Sequence, residues 1–404
     1  MDKSVFKDLK IVDFSWYAAG PYVAQYLADY GATVIRVESS RRVDGMRSTG
    51  PFKDEIPGVN RGYCYPLYNS NKYGITLNLK HGQKMKVVRK LAEWADVVVE
   101  NFTPGTVDKM GLGYEVLRKI KPGIIMLSTS NQGQTGPNRS APGFGSHLIA
   151  LAGFVNLTGW PDRSPVMTWG AYTDFIAARY ATVALMAALS YHRKTGEGTY
   201  VDISQYECSV PFLGPLLLDY SCNGRLAVRN SNRCDYAAPH GVYPCHNEDT
   251  WCSIAVFSDE DWVRLCRVMG DESLAQNPKF ATLLQRKSNE DELDNLVSAW
   301  TKVHTPDEVM ARLQSAGIDS GALRTPVDIT ADAQLKHQGH FVELEHPEIG
   351  RHLYDTPASA LSATPAVVNM PAPCLGQHNY HVYTQLLGMS DEEFLSLGEE
   401  GLLD

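Results

Sequence analysis

The chain has 404 residues, 44% of them hydrophobic and 21% charged, a composition that excludes disorder as its main state and excludes a fibrous repeat. At about 100–200 residues per domain, the length holds two or more domains. Lys and Arg number 37 against 46 Asp and Glu, a formal charge of -9, so no global positive field exists to gather nucleic acid or an anionic membrane; only a local basic pocket is compatible with it.

The first residues, Met1 to Lys10, are charged throughout and lack the apolar stretch of a signal peptide. No later run reaches the roughly 18 apolar residues of a membrane span, which predicts a cytoplasmic protein. Eight cysteines occur without a Cys-x-x-Cys pair and are expected to be reduced thiols. Cys245, His246 and Cys252, with His240 nearby, lack zinc-finger spacing, so no metal is expected.

In chain order, residues 9–14 read as a buried strand, followed by the small-residue turn Ala18-Ala19-Gly20-Pro21, a helix over 22–30 and a second strand over 32–38. Strand, turn, helix and strand make a βαβ unit, whose right-handed crossover sets the strands parallel. Similar runs follow: a strand at 75–79, a helix at 83–94, and strands at 96–100 and 123–128. The prediction is an α/β fold: a Rossmann-like large domain with an open parallel sheet over residues 1–224. A dinucleotide is not expected, because only Gly20 stands where Gly-x-Gly-x-x-Gly would follow the first strand, and no P-loop motif exists.

Residues 175–193 form the clearest helix, with Thr173-Asp174 where an N-cap belongs. From about residue 225 the texture becomes turn-rich, with amphipathic helices near 259–269, 290–303 and 306–316, read as a smaller α+β domain over 225–325. Prolines through 326–404 predict an extended return to the large domain. On local sequence Asp174 is either a plain N-cap or a carboxylate kept ionised for nucleophilic work by the helix dipole.

Several segments, in order, resemble the class III coenzyme A transferases: residues 12–21 and 27–38, Asn69 to Lys80, Ala95 to Gly105, Lys109 to Glu115, Gln132 to Pro137, Pro142-Gly143-Phe144 and Arg193 to Ser204. The resemblance covers nearly the whole chain and implies CoA thioesters as substrates, with no bound cofactor. It makes Asp174 the catalytic nucleophile, passing through aspartyl anhydrides and an aspartyl-CoA thioester. Asn101 and Phe102 then match residues at the adenine and ribose end of CoA, and Leu77 and Lys80 an adenine site with a nearby cation. Lys109, beside Met110, replaces an arginine near the phosphates, Arg139 lies in a loop with a basic CoA contact, and Tyr17 and Ala18 face the thioester.

Ala18 stands where formyl-CoA transferases carry glutamine, and the glycine-rich loop of those enzymes has no counterpart here, so a larger acyl group is expected. Trp16, Tyr17, Tyr236 and His240 suit a hydrophobic or aryl-substituted acid such as benzylsuccinate, exchanged with a donor such as succinyl-CoA, while Arg229 or Arg233 would pair a second carboxylate. The resemblance also implies an interlocked dimer, with a second copy or with a related chain. Two alternatives stay open: a 2-methylacyl-CoA epimerase, for which His147 is the candidate partner of Asp174, and a supporting subunit without activity.

Overall fold

The computed structural model describes residues 4–403; the first three residues of the charged start and the final Asp404 lie outside the described residues. The chain divides into two units, one comprising residues up to Phe154, Met167–Arg225 and everything from Ala333, the other Val155–Val166 and Leu226–Asp332.

The first unit is built on six parallel strands: β1 (Lys10–Asp13), β2 (Thr33–Glu38), β3 (Lys72–Thr76), β4 (Val97–Glu100), β5 (Ile125–Ser130) and β6 (Tyr200–Ser204), ordered β3-β2-β1-β4-β5-β6. This is the doubly wound order, in which the chain reverses direction between β1 and β4. Both faces are covered, so the strands read as unbroken apolar runs rather than alternating ones. Successive residues serve opposite cores. Val12, Ile35, Val98 and Met126 pack with Val87, Val88 and Leu91 of α2 (Met85–Trp94). Their neighbours Ile11, Val34, Val97 and Ile125 pack with Val23 and Leu27 of α1 (Ala19–Asp29) and with Ala178, Ala181 and Leu185 of the long helix α5 (Tyr172–Thr195). Between them lie α3 (Thr106–Met110) and α4 (Gly145–Leu151).

Several boundaries differ from expectation for physical reasons. The turn 18–21 is mostly helix: α1 begins at Ala19, and Pro21 is tolerated because a first-turn residue needs no N–H. The third strand begins at Lys72, three residues before the expected 75, since the Lys72 ammonium is buried against Asp13 at 2.9 Å and the Asn69 side chain at 3.0 Å. The helix of Asp174 begins at Tyr172, with Ala171 at the N-cap making no side-chain bond, so Asp174 is a first-turn residue and not the cap.

The tail is less extended than its prolines suggest. It carries the hairpin β7 (Phe341–His346) and β8 (Gly350–Asp355), and helix α6 (Asp391–Glu399). Leu397 and Leu402 enter the core beside α2. An irregular stretch runs between, where Val367 N donates to Asp29 O, Pro373 O accepts from Arg47, and Asn379 bonds the backbone N–H of Thr76.

The second unit has a three-stranded antiparallel sheet, His240–Pro244, Trp251–Ala255 and Asp319–Ala322, over a core containing Trp262, Leu265, Phe280 and Leu293. Among the described residues, no helix is long and apolar enough to cross a membrane.

Candidate active site

A cavity of about 710 Å³ opens at the carboxyl ends of the sheet's strands, within the first unit. That is where an open α/β sheet forms a crevice, because loops leave in opposite directions on either side of the switch. All six strands contribute: Phe14 and Trp16 to Ala19 after β1, Glu38, Ser39, Arg41 and Arg42 at and after the end of β2, Leu77 to Lys80 after β3, Asn101 to Pro104 after β4, Ser130 and Asn131 around the end of β5, and Gln205 after β6. The loop 139–145 and Asp174 close it.

Asp174 is packed against a glycine. A methyl group on Gly145 would lie 2.8 Å from Asp174 Oδ2 and 2.5 Å from Ala171 Cβ, so only a residue without a side chain lets α4 and α5 meet there. Burial pushes the Asp174 carboxyl from 3.8 up to about 7. Burial thus opposes the helix dipole, which the sequence expectation relied on to hold the carboxylate ionised.

The loop carrying Tyr17 and Ala18 is bracketed by Asn101, whose Oδ1 accepts the Trp16 N–H at 2.7 Å while its Nδ2 donates to Trp16 O at 2.6 Å. The Asn101 amide is thus engaged with the loop. Phe102 meets Trp16 edge to face at 5.7 Å, and its N–H is fixed by Glu100 Oε2 at 2.8 Å. Burial raises the Glu100 carboxyl to about 7 even though Ser128 donates to it. Ala18 is buried at the start of α1. Leu77 is fully buried and donates its N–H to Glu38 O at 2.8 Å, while Lys80 is exposed with its N–H on Asn78 Oδ1 at 3.1 Å.

Beneath the floor lies a buried charge lattice. Asp13 meets Lys72 at 2.9 Å and Arg36 at 3.4 Å; Arg36 also meets Asp44 at 2.5 Å. Burial alone would raise the Asp13 carboxyl, but Lys72 and Arg36 outweigh it and hold it below the usual range. Arg47 clasps Glu38 through two bonds, 2.9 and 2.7 Å, with its guanidinium 3.6 Å over the Tyr65 ring.

Of the residues singled out in the sequence, Tyr17, Ala18, Leu77, Lys80, Asn101, Phe102, Met110, Arg139 and Asp174 line this one cavity. Lys109 does not: it is exposed at the end of α3, and Met110 is the residue of that turn that lines the space. The cations that sequence reasoning missed are Arg41 and Arg42, the latter 5.0 Å over the Trp16 ring. A basic pair just past the end of the second strand of a doubly wound sheet is the signal that could have found them. Also missed were Ser130 and Gln205, which line the cavity; among the described residues, Ser130 Oγ and Gln205 Oε1 find no hydrogen-bond partner.

Arg229, Arg233, Tyr236, His240 and His147, also singled out in the sequence, lie outside this cavity lining and have partners of their own. Arg233 pairs with Asp291 at 2.6 Å and Asp294 at 2.7 Å, and Arg229 bonds Asn156 O at 3.1 Å. His240 Nδ1 is bonded to Asn232 O at 2.6 Å, and Tyr236 stacks on Phe257 at 6.2 Å. All four belong to the second unit. His147, the candidate proton-transfer partner, is exposed, absent from the cavity lining, and accepts the Phe144 N–H at its own Nδ1.

The pattern that defines CoA-transferase family III matches residues 6–379. The succinyl-CoA–D-citramalate CoA-transferase of Chloroflexus aurantiacus is 33% identical over 390 residues, covering 96% of each chain. The beta subunit of the succinyl-CoA–L-malate CoA-transferase of the same organism is 30% identical, again over 96% of each. A crystal structure of a CaiB/BaiF family protein from Brucella suis superposes with a TM-score of 0.85 at 30% identity, over 94% of this chain and 98% of that one.

Proposed function

The chain belongs to CoA-transferase family III, and we propose that it moves CoA from succinyl-CoA to a dicarboxylic acid of moderate size with Asp174 as nucleophile. The observation that carries this reading is a lone carboxylate in the first turn of a long helix, inside a cavity whose rim holds Arg41, Arg42, Lys80 and Arg139. The cations suit the phosphates of CoA, and the apolar wall of Leu77, Phe102 and Met110 suits its adenine. The two relatives act, by their names, on citramalate and malate, which supports a dicarboxylic acceptor; benzylsuccinate is the aryl-substituted extreme of that class.

An Asp174 oxygen attacks the thioester carbonyl, the C–S bond breaks, and CoA leaves as thiolate, giving a mixed anhydride. The thiolate then attacks the aspartyl carbonyl, releases the donor acid as carboxylate and leaves an aspartyl-CoA thioester. The acceptor carboxylate displaces CoA from that thioester to form a second anhydride. Thiolate attack on the acceptor's acyl carbon gives the new acyl-CoA and restores Asp174. Every bond broken is replaced by one of similar energy, so neither ATP nor a metal is called for. Ser130, whose Oγ hydroxyl is buried at the cavity wall, is suited to donate a hydrogen bond to a carbonyl oxygen as charge develops on it.

Exposed apolar side chains on the first unit, Trp169 at 97% exposure, Val183 and Leu218 among them, support assembly as an interlocked dimer with a second copy or a related chain. The test is intact-protein mass spectrometry after incubation with succinyl-CoA and hydroxylamine or borohydride. A modification mapping to Asp174 and absent in Asp174→Ala is expected; an unmodified protein that exchanges the α-proton of a 2-methylacyl-CoA would replace this reading with epimerisation.

A further inference from the structure

Tyr17 has φ 60°, the left-handed region, which a tyrosine holds only where its surroundings dictate it. Its N–H points at the buried Asp44 carboxylate, 3.1 and 3.2 Å from the two oxygens, and Asp44 also takes the Met46 N–H at 2.9 Å. Asp44 is itself fixed by Arg36 at 2.5 Å, part of the lattice reaching Asp13. The ring of Tyr17 then lies on Gly45: a methyl group there would stand 2.5 Å from Cε1, Cζ and Oη. Gly45 has no positive φ to demand glycine, so the tyrosine ring is what takes up the room a side chain would need. On another side the ring meets Phe144 edge on, at 5.4 Å, and Phe144 precedes Gly145, the glycine against the Asp174 carboxylate.

The ring is therefore seated between Gly45 and Phe144 in the wall of the cavity near the proposed nucleophile, on a backbone held by Asp44. A ring held in that seat limits the length of whatever is bound beside it. We propose that Tyr17 is a specificity-determining residue that limits the length of the acid transferred, and that Asp44 and Gly45 are positioning residues acting through it, a role that rests on the CoA-transfer reading of this cavity. Asp44 sets the backbone of the residue, and Gly45 sets its ring.

The substitution at Gly45 is informative because the atoms it displaces are the far end of a flexible side chain rather than backbone. A double-mutant cycle on the full chain tests the link, with succinyl-CoA as donor and either malate or the longer adipate as acceptor. Tyr17→Ala is expected to raise the adipate-to-malate ratio of kcat/KM by at least about 10-fold, because adipate is two carbons longer than malate and room for a single methylene is already worth about that much. Gly45→Ala, by driving the ring into the cavity, is expected to lower that ratio, and the double variant is expected to match Tyr17→Ala alone. Asp44→Asn, which keeps an acceptor for the Tyr17 N–H, is expected to hold the wild-type ratio while Asp44→Ala loses it. Should Asp44→Ala not fold, the Gly45 cycle decides by itself. Additive effects of Gly45→Ala and Tyr17→Ala, or an equal loss toward both acids in Tyr17→Ala, would overturn the assignment and leave CoA transfer standing. A wild-type chain that forms no aspartyl adduct and transfers CoA to neither acid would overturn both.

Discussion

The Cα of Gly145 rests against the carboxylate of Asp174, close enough that a methyl group would lie 2.8 Å from Oδ2. Two helices, α4 and α5, are thereby brought together around the one acidic side chain in the cavity lining besides Glu38. Gly145→Ala must push either Ala171 or the carboxylate aside. The expected outcome is a fall in kcat of about 100-fold, the cost of misplacing a reacting group by an ångström. The circular dichroism spectrum should be little changed. A variant with full activity would show that Asp174 needs no such fixed seat.

Burial raises Asp174 to about 7, and the proposed nucleophile is its deprotonated form. The sign is direct: below that value the site fills with the neutral acid, so kcat/KM for acyl-CoA should fall with a slope of one per pH unit below about 7 and level off above it. A profile flat down to pH 5 would show that the carboxylate is ionised throughout.

Arg42 lines the cavity and Lys109 does not. Arg42→Ala should raise the KM for acyl-CoA by about 10-fold, in line with the loss of one charge-assisted phosphate contact, and leave kcat nearly unchanged. Lys109→Ala should change neither. Initial-rate kinetics on the two variants would reverse the assignment if Lys109 proved the sensitive position.

Asn101 holds the Trp16 backbone through two bonds. Asn101→Ala leaves a partly buried N–H and C=O without those partners, at a cost of about 1–3 kcal/mol. Thermal melting should register that loss, and kcat/KM should fall with it because the Tyr17 loop is released. An active variant of lower melting temperature would show that the bracket stabilises the loop without shaping the site.

The doubly wound sheet was legible because strands covered on both faces are continuous apolar runs, as at Val97 to Val99, and because Gly31 marks the end of the first helix. The edge strand β6 was not: its residues alternate between exposed and part-buried, and its pairing with β5 depends on residues more than seventy positions earlier. The start of β3 was hidden for a related reason, since Lys72 looks like a strand's polar end until Asp13, 59 residues away, is seen to bury it. Within the site, the place of Asp174 in the cavity lining was expected from the order of the motifs around it, whereas its raised pKa was not, because its burial depends on neighbours distant in sequence, Gly145 among them. Lys109 and Met110 show the limit of motif matching. Consecutive helical residues point about 100° apart, so a motif containing both does not say which one faces the ligand.

The wall formed by Leu77 to Lys80 is tied down from far along the chain, for the N–H of Asn78 donates to Leu402 O at 2.8 Å, and the Leu402 side chain is wholly buried in the core beside α2. Synthesis runs from the N-terminus, and domains fold as their residues emerge. A nascent chain that already contains Asp174 still lacks the strap that secures residues 77–80, so this wall of the cavity is completed only when the last few residues have been made.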